Sequence, residues 1–196
     1  NFGAAPDEIE KVFEKNGWRP PRNWTRYLAV DPGHTIAAAL FAAVPPPELG
    51  DFVVLYDEVY DRHSDAYSLA KAVAAKSEGI QYQAFLMDAR AGRQTPMGYG
   101  KTVKAHYRDA FAHYSLSSTL TDSGFLAAND DIPSGLENVR KAFSIRQDGT
   151  TRLRFVTQCV PHTIDEIKIY RKKISKDETK DEPIQSRCHL MDCYDA

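Results

Sequence analysis

The sequence predicts an α/β fold: a mixed central sheet flanked by helices, with three antiparallel strands near the N-terminus. Three observations carry this. Apolar, β-branched and aromatic runs at 25–31, 35–44 and 52–60 are separated only by short turns, which is the pattern of a meander. Helical spacing then takes over at 64–79 and returns at 102–114 and 133–145. Single strand candidates, "YQAFLMDA" (82–89) and "TRLRFVT" (151–157), are interleaved with those helices, as in an α/β order.

Taken in order, "PDEIEKVFEKNG" (6–17) reads as a short helix with Pro6 at its start, acids in its first turn and Gly17 at its end. "WRPPRN" (18–23) is a stiff connector, so residues 1–24 are expected to be a leader into a domain at 25–196. "TRYLAVDPG" (25–33) is a strand running into a turn. "TIAAALFAAV" (35–44) is a second strand, although its alanines leave a helix open. The prolines of "PPPELGD" (45–51) require a turn, and "FVVLYDEVY" (52–60) is a third strand, expected to lie beside the first. "SDAYSLAKAVAAKSEG" (64–79) has a Ser start and a Gly stop. "RAGRQTPMGYGK" (90–101) reads as a basic surface loop and 115–132 as irregular. "PHTIDEIKIYRKK" (161–173) reads as a helix or a helix-to-strand segment, 175–187 as a polar loop or hairpin tip, and the last residues as a final helix.

Bulk properties narrow the function. A chain of 196 residues with 42% hydrophobic content can build one real core. No apolar run approaches the roughly 20 residues needed to span a bilayer, and the acidic, amphipathic start is not a signal peptide. The formal net charge of −2 argues against a strongly basic nucleic-acid binder, though clustered charge counts for more than the total. Cys159, Cys188 and Cys193 are odd in number and late in the chain, which fits a reducing cytoplasm better than a disulfide framework. The chain does not begin with Met, so a fragment of a larger protein is expected. No G-x-x-x-x-G-K-[ST] phosphate loop occurs; "GYGKT" (98–102) lacks the leading Gly at the required spacing.

The informative residues are acids at strand ends. Asp31 closes the first strand and Asp88 closes "AFLMD", each after at least four apolar residues. A carboxylate so placed must sit at a wet strand end or be compensated. Each alone also fits a turn-capping Asp. If the two strands are neighbours, both carboxylates reach one sheet edge, where a divalent cation removes their repulsion and takes their oxygens as ligands. In "HLMDCYDA" (189–196), His189 and Asp192 are one i, i+3 pair and Asp192 and Asp195 the next. A helix there could bring His189 and Asp192 to the same edge, completing the arrangement used in two-metal phosphodiester hydrolysis. Of Asp57 and Glu58, alternation sends one to each sheet face, where an acid could supplement the site. Arg90, Arg93, Lys101 and Lys104 surround the loop after Asp88, and Lys168, Arg171, Lys172, Lys173 and Lys176 form a second basic run; either could track phosphates or be solvated charge.

"YLAVDPG", "FVVLYDEVY", "AFLMDARAG", "CVPHTIDEIKIYRKK" and "EPIQSRCHLMDCYDA" follow one another in an order that resembles the C-terminal nuclease domain of the large terminase subunit of tailed double-stranded DNA phages, over about residues 25–196. The resemblance implies an RNase H-like (RuvC-type) fold and a metal-dependent endonuclease that cuts concatemeric double-stranded DNA during genome packaging. It matches Asp31, Asp88 and Asp192 to the catalytic, metal-binding acids, His189 to a His-x-x-Asp ligand, and Glu166 to an acid ahead of the hairpin, with Glu58 and Asp195 as further auxiliary acids. It also implies two Mg²⁺ or Mn²⁺ ions, DNA contacts from Arg90, Arg93, Lys101, Lys104, Arg171, Lys172 and Lys173, and action in the cytoplasm of an infected bacterium without a membrane. The implied partners are an ATPase motor domain ahead of residue 25, a small terminase subunit and a portal; the isolated domain is expected to be monomeric. The sequence departs from the family after Asp192, where "DCYDA" replaces the usual Asp-Ala-x-Arg-Tyr. Two rival readings stand beside this one. The first is another RNase H-like nuclease, such as a junction resolvase. The second is a zinc-stapled, non-catalytic DNA-binding or assembly module using Cys159, His162, Cys188, His189 and Cys193.

Overall fold

Alternation along the strands sets the architecture, seen in a computed structural model that describes residues 6–33, 35–62, 65–96, 100–128 and 132–169. The elements are α1 (Pro6–Lys15), β1 (Thr25–Asp31), β2 (Ile36–Val44), β3 (Val53–Arg62), α2 (Ala66–Lys76), β4 (Ala84–Met87), α3 (Ala89–Arg93), α4 (Val103–His113), β5 (Leu126–Ala127), α5 (Ile132–Phe143), β6 (Leu153–Phe155) and α6 (Pro161–Ile169). The strands form one six-stranded sheet in the order β5-β4-β1-β2-β3-β6. The β1–β2 and β2–β3 pairs are antiparallel, the meander expected from the short turns. β1–β4, β4–β5 and β3–β6 are parallel.

The alanine-rich run is a strand. β2 pairs along both edges and buries Ala37, Ala38, Ala39 and Ala43 completely. Burial between two layers overrides the weak β preference of alanine, and the small side chains let helices close on both faces. Because β2 lies between them, β3 does not neighbour β1, contrary to the sequence expectation: consecutive strands joined by short turns pair in sequence. A bulge breaks the β2–β3 register between Phe41 and Ala42, where Tyr56 is the extra residue.

Each face of the sheet carries its own apolar layer. On the first, Leu28, Val30, Phe41, Phe85 and Met87 pack against Leu69 and Val73 of α2 and Tyr107 and Phe111 of α4. Ile9 and Phe13, one turn apart on α1, join this layer with Trp24, and Phe13 meets Trp24 edge-on at 5.7 Å. On the second face, Ala29, Ala38, Leu40 and Leu55 lie under Ala142 and Phe143 of α5 and Ile164 of α6. Caps mark two helix starts: Asp65 accepts the Ser68 N–H at 2.8 Å and Thr102 accepts the Ala105 N–H at 3.2 Å.

Two short elements depart from the sequence reading. The stretch expected to be loop after Asp88 contains α3, and β5 lies within the stretch read as irregular. α3 has only five residues, and both residues of β5 are exposed, so neither shows a burial period. Among the described residues, no helix is long and apolar enough to cross a membrane.

Candidate metal and nucleic-acid site

Register brings the two strand-end acids together. Val30 of β1 is the parallel partner of Met87 of β4. The next residue on each strand is Asp31 and Asp88, so the two acids follow adjacent strands at one level, where the backbones lie about 5 Å apart. Both strands run the same way, so this is the C-terminal edge of the parallel part of the sheet, the edge where α/β folds commonly bind ligands. Alternation puts Asp31 on the face of Ala29, and Asp88 on the face of Leu86, in the second layer. Both acids are half-buried.

Asp88 has a second task. Its backbone turns out of the strand, and its side chain caps α3 by accepting the Ala91 N–H at 2.6 Å, which engages one of its two carboxylate oxygens. α3 then packs tightly. A Cβ added at Gly92 would meet both Lys104 Cβ of α4 and Met87 Sδ at 3.4 Å. Arg90 and Arg93 of α3 and Lys104 in the first turn of α4 are exposed around this corner. Lys101 is tied to Asp109 at 2.7 Å, and Arg108 joins the same carboxylate at 2.9 Å, which together hold Asp109 below the usual carboxylate range.

Asp57 and Glu58 do face opposite sides. Asp57 ion-pairs with Lys76 of α2 at 2.6 Å on the first face. Glu58 is buried on the second and is claimed by α6. One oxygen accepts the His162 N–H at 2.7 Å and bonds His162 Nδ1 at 2.8 Å; the other accepts the Thr163 N–H at 2.8 Å and the Thr163 hydroxyl at 2.6 Å. A buried carboxylate so surrounded is compensated without a cation and serves as the N-terminal cap of α6. Glu58 stands opposite Leu40, and Leu40 opposite Ala29, so two residues further along each strand, on the same face, lies the row Asp31–Ala38–Tyr60. Tyr60 carries the His162 ring stacked on it, with centroids 4.7 Å apart and planes 4° apart. Sequence reasoning considered His162 only as a zinc ligand and passed over Tyr60. The available signal was the alternation of Glu58 with Tyr60 and a Pro-His step opening a helix. Glu166, on the same helix, is also buried.

His189, Asp192 and Asp195, together with Arg171, Lys172, Lys173, Cys188 and Cys193, lie outside the described residues. Among the described residues, no group of three or more His, Cys, Asp and Glu side chains is placed to hold a metal ion. The two acids at one strand edge are therefore a pair of oxygen donors, the hard ligand type suited to Mg²⁺ or Mn²⁺. Cys159 packs against the first layer, and burial pushes its thiol up.

No protein-family model and no curated protein matches this sequence. Solved structures do. The nuclease domain of the P22 large terminase is similar with a TM-score of 0.65 at 16% identity, over 90% of this chain and 81% of that one. The nuclease domain of the bacteriophage SPP1 large terminase, g2p, determined with bound Mn, gives 0.59 at 12% identity over 89% and 85%. The large terminase nuclease of thermophilic phage G20c, with bound cobalt, gives 0.50 at 10% identity over 89% and 82%. The class so defined is an α/β domain with a mixed sheet and an RNase H-like fold. Within that class, the fold is the one seen in large terminase nuclease domains.

Proposed function

We propose that this chain is the metal-dependent endonuclease domain of a viral DNA-packaging terminase, cutting concatemeric double-stranded DNA. One observation carries the reading: Asp31 and Asp88 follow the register pair Val30–Met87, so two carboxylates meet at the C-terminal edge of parallel neighbours. The fold shared with terminase nucleases, some of them solved with manganese or cobalt, supports a divalent cation at that edge. Asp31 and Asp88 would hold such ions, which would supply an activated water and neutralise charge on the leaving oxygen.

In this reading Asp31 and Asp88 hold the ions, with Asp192 as third acid and His189 as a further ligand. Asp195 and Glu166 are auxiliary acids. Glu58 contributes indirectly, by fixing the start of α6. Capping α3 restrains the Asp88 side chain before any cation arrives, which lowers the ordering cost of ligation. Arg90, Arg93 and Lys104 flank the acids and guide the DNA backbone; Lys101, Arg171, Lys172 and Lys173 are further candidates for that task. Contacts of this kind bind DNA with little sequence preference. The full protein would add an ATPase motor and act with a small terminase subunit and portal in the host cytoplasm.

The test is nicking of supercoiled plasmid by the purified chain in Mn²⁺ or Mg²⁺, with the metal content of the protein measured alongside. The reading expects metal-dependent nicking. Tightly held zinc with no nicking would establish the zinc-stapled module instead, and a four-way junction cut far faster than linear duplex would establish a resolvase.

A further inference from the structure

We propose that His162 is a DNA-backbone contact, offering Nε2 to a phosphate beside the one held at the acids; the proposal rests on the nuclease reading above. The observation is an exposed ring that is nonetheless fixed on two sides. The His162 side chain is 56% exposed, whereas Glu58, which holds it, is 5% exposed. Glu58 bonds Nδ1 at 2.8 Å, and a carboxylate can only accept there, so Nδ1 carries the proton. Tyr60 stacks under the ring face at 4.7 Å. One ring nitrogen, Nε2, is directed away from the carboxylate.

Capping α6 does not explain this arrangement. Glu58 caps through the backbone N–H groups of His162 and Thr163 and the Thr163 hydroxyl, and those bonds need no imidazole. Holding an exposed side chain in one rotamer costs entropy. The stack and the Nδ1 bond offset that cost, and what they secure is the orientation of Nε2.

The place matches the substrate. Tyr60 is across from Ala38, and Ala38 from Asp31, so His162 stands over the same row as Asp31, on the same face, two strands away. Two strand spacings are about 10 Å. Phosphates on one DNA strand advance roughly 3.4 Å each along the axis and also wind about it, so a phosphate one or two steps from a scissile phosphate at Asp31 and Asp88 lies at about the distance of His162. A carboxylate at Nδ1 and a phosphate oxygen at Nε2 are both acceptors, so the contact is made by the imidazolium, which donates from each nitrogen in a charge-assisted pair of bonds.

The experiment compares the parent chain with His162→Ala and Tyr60→Leu. Binding to a short DNA duplex is followed by fluorescence anisotropy in EDTA, across a salt series at low ionic strength. His162→Ala is expected to weaken binding roughly five- to thirtyfold and to reduce the slope of log K against log salt by about 0.9, the value of one phosphate contact. Tyr60→Leu, which frees the ring without removing it, is expected to fall between the two. In Mn²⁺, plasmid nicking by His162→Ala should show a raised KM with kcat close to the parent's. Because the main-chain bonds to Glu58 survive, thermal melting of His162→Ala should stay near the parent's, and it reports separately on folding. Unchanged affinity and slope in a folded His162→Ala chain overturn the proposal alone, with the nuclease reading intact. A parent chain that neither binds DNA nor nicks it overturns both.

Discussion

Val30 and Met87 are register partners in the parallel ladder between β1 and β4. That pairing turns two unremarkable strand-end acids into one candidate site, because it fixes Asp31 and Asp88 at the same level on adjacent strands. It predicts that Asp31→Asn and Asp88→Asn each lower metal-dependent plasmid nicking by about a hundredfold or more, the several kcal/mol that metal assistance supplies. Asn caps a helix about as well as Asp, so Asp88→Asn should keep α3 and melt near the parent temperature. Retained nicking in Asp88→Asn would show that the acid has only its capping role.

Glu58 ties β3 to α6 across 104 residues of sequence. Its replacement by Ala strands the buried N–H and hydroxyl of Thr163 and the partly buried N–H of His162, at a cost of about 2–4 kcal/mol. His162→Ala leaves the main-chain bonds in place and should cost about 1 kcal/mol or less. Urea unfolding of the two variants measures the contrast. Equal losses would mean that the imidazole, and not the backbone cap, holds the helix.

Asp65 caps α2, and its bond from the Ser68 N–H holds its carboxyl below the usual range. A depressed native value means that the contribution is present above the unfolded value of about 3.9 and is lost as pH falls through the native one. Asp65→Ala should therefore cost about 1 kcal/mol at neutral pH, and less in acid. A loss that stays constant down to the acid transition would contradict this.

Tyr56 and Tyr82 are buried in the first layer, and burial pushes both phenols up. Raised values mean stability that is complete below about pH 10 and declines above it. Both phenols should stay protonated until the chain unfolds, so that their phenolate absorbance rises together with the loss of far-ultraviolet dichroism. Ionisation of either in the folded state would contradict that.

Much of the sheet was readable from local pattern. The three-strand meander, the buried strand within "YQAFLMDA" and the helices at α2, α4 and α5 each show their own period or punctuation. The candidate acids were readable too, as carboxylates ending apolar runs. What local pattern cannot carry is pairing between distant segments. The β1–β4 neighbourhood was only a condition in the sequence, and β3 was expected beside β1 where β2 in fact intervenes. Glu58 read as an acid that could supplement the metal site because the groups that bury it lie on a helix more than a hundred residues later. α3 was missed because its cap is Asp88 itself, a residue whose position already suggested a ligand.

The central claim is that Asp31 and Asp88 share a divalent metal site. The most direct measurement is the anomalous scattering of a crystal of this chain soaked in Mn²⁺. The account predicts manganese density bridging the two carboxylates at the C-terminal edge of β1 and β4, in two peaks roughly 3.5–4 Å apart. A well-ordered soaked crystal with no manganese at that edge, or with the metal bound elsewhere, would contradict it.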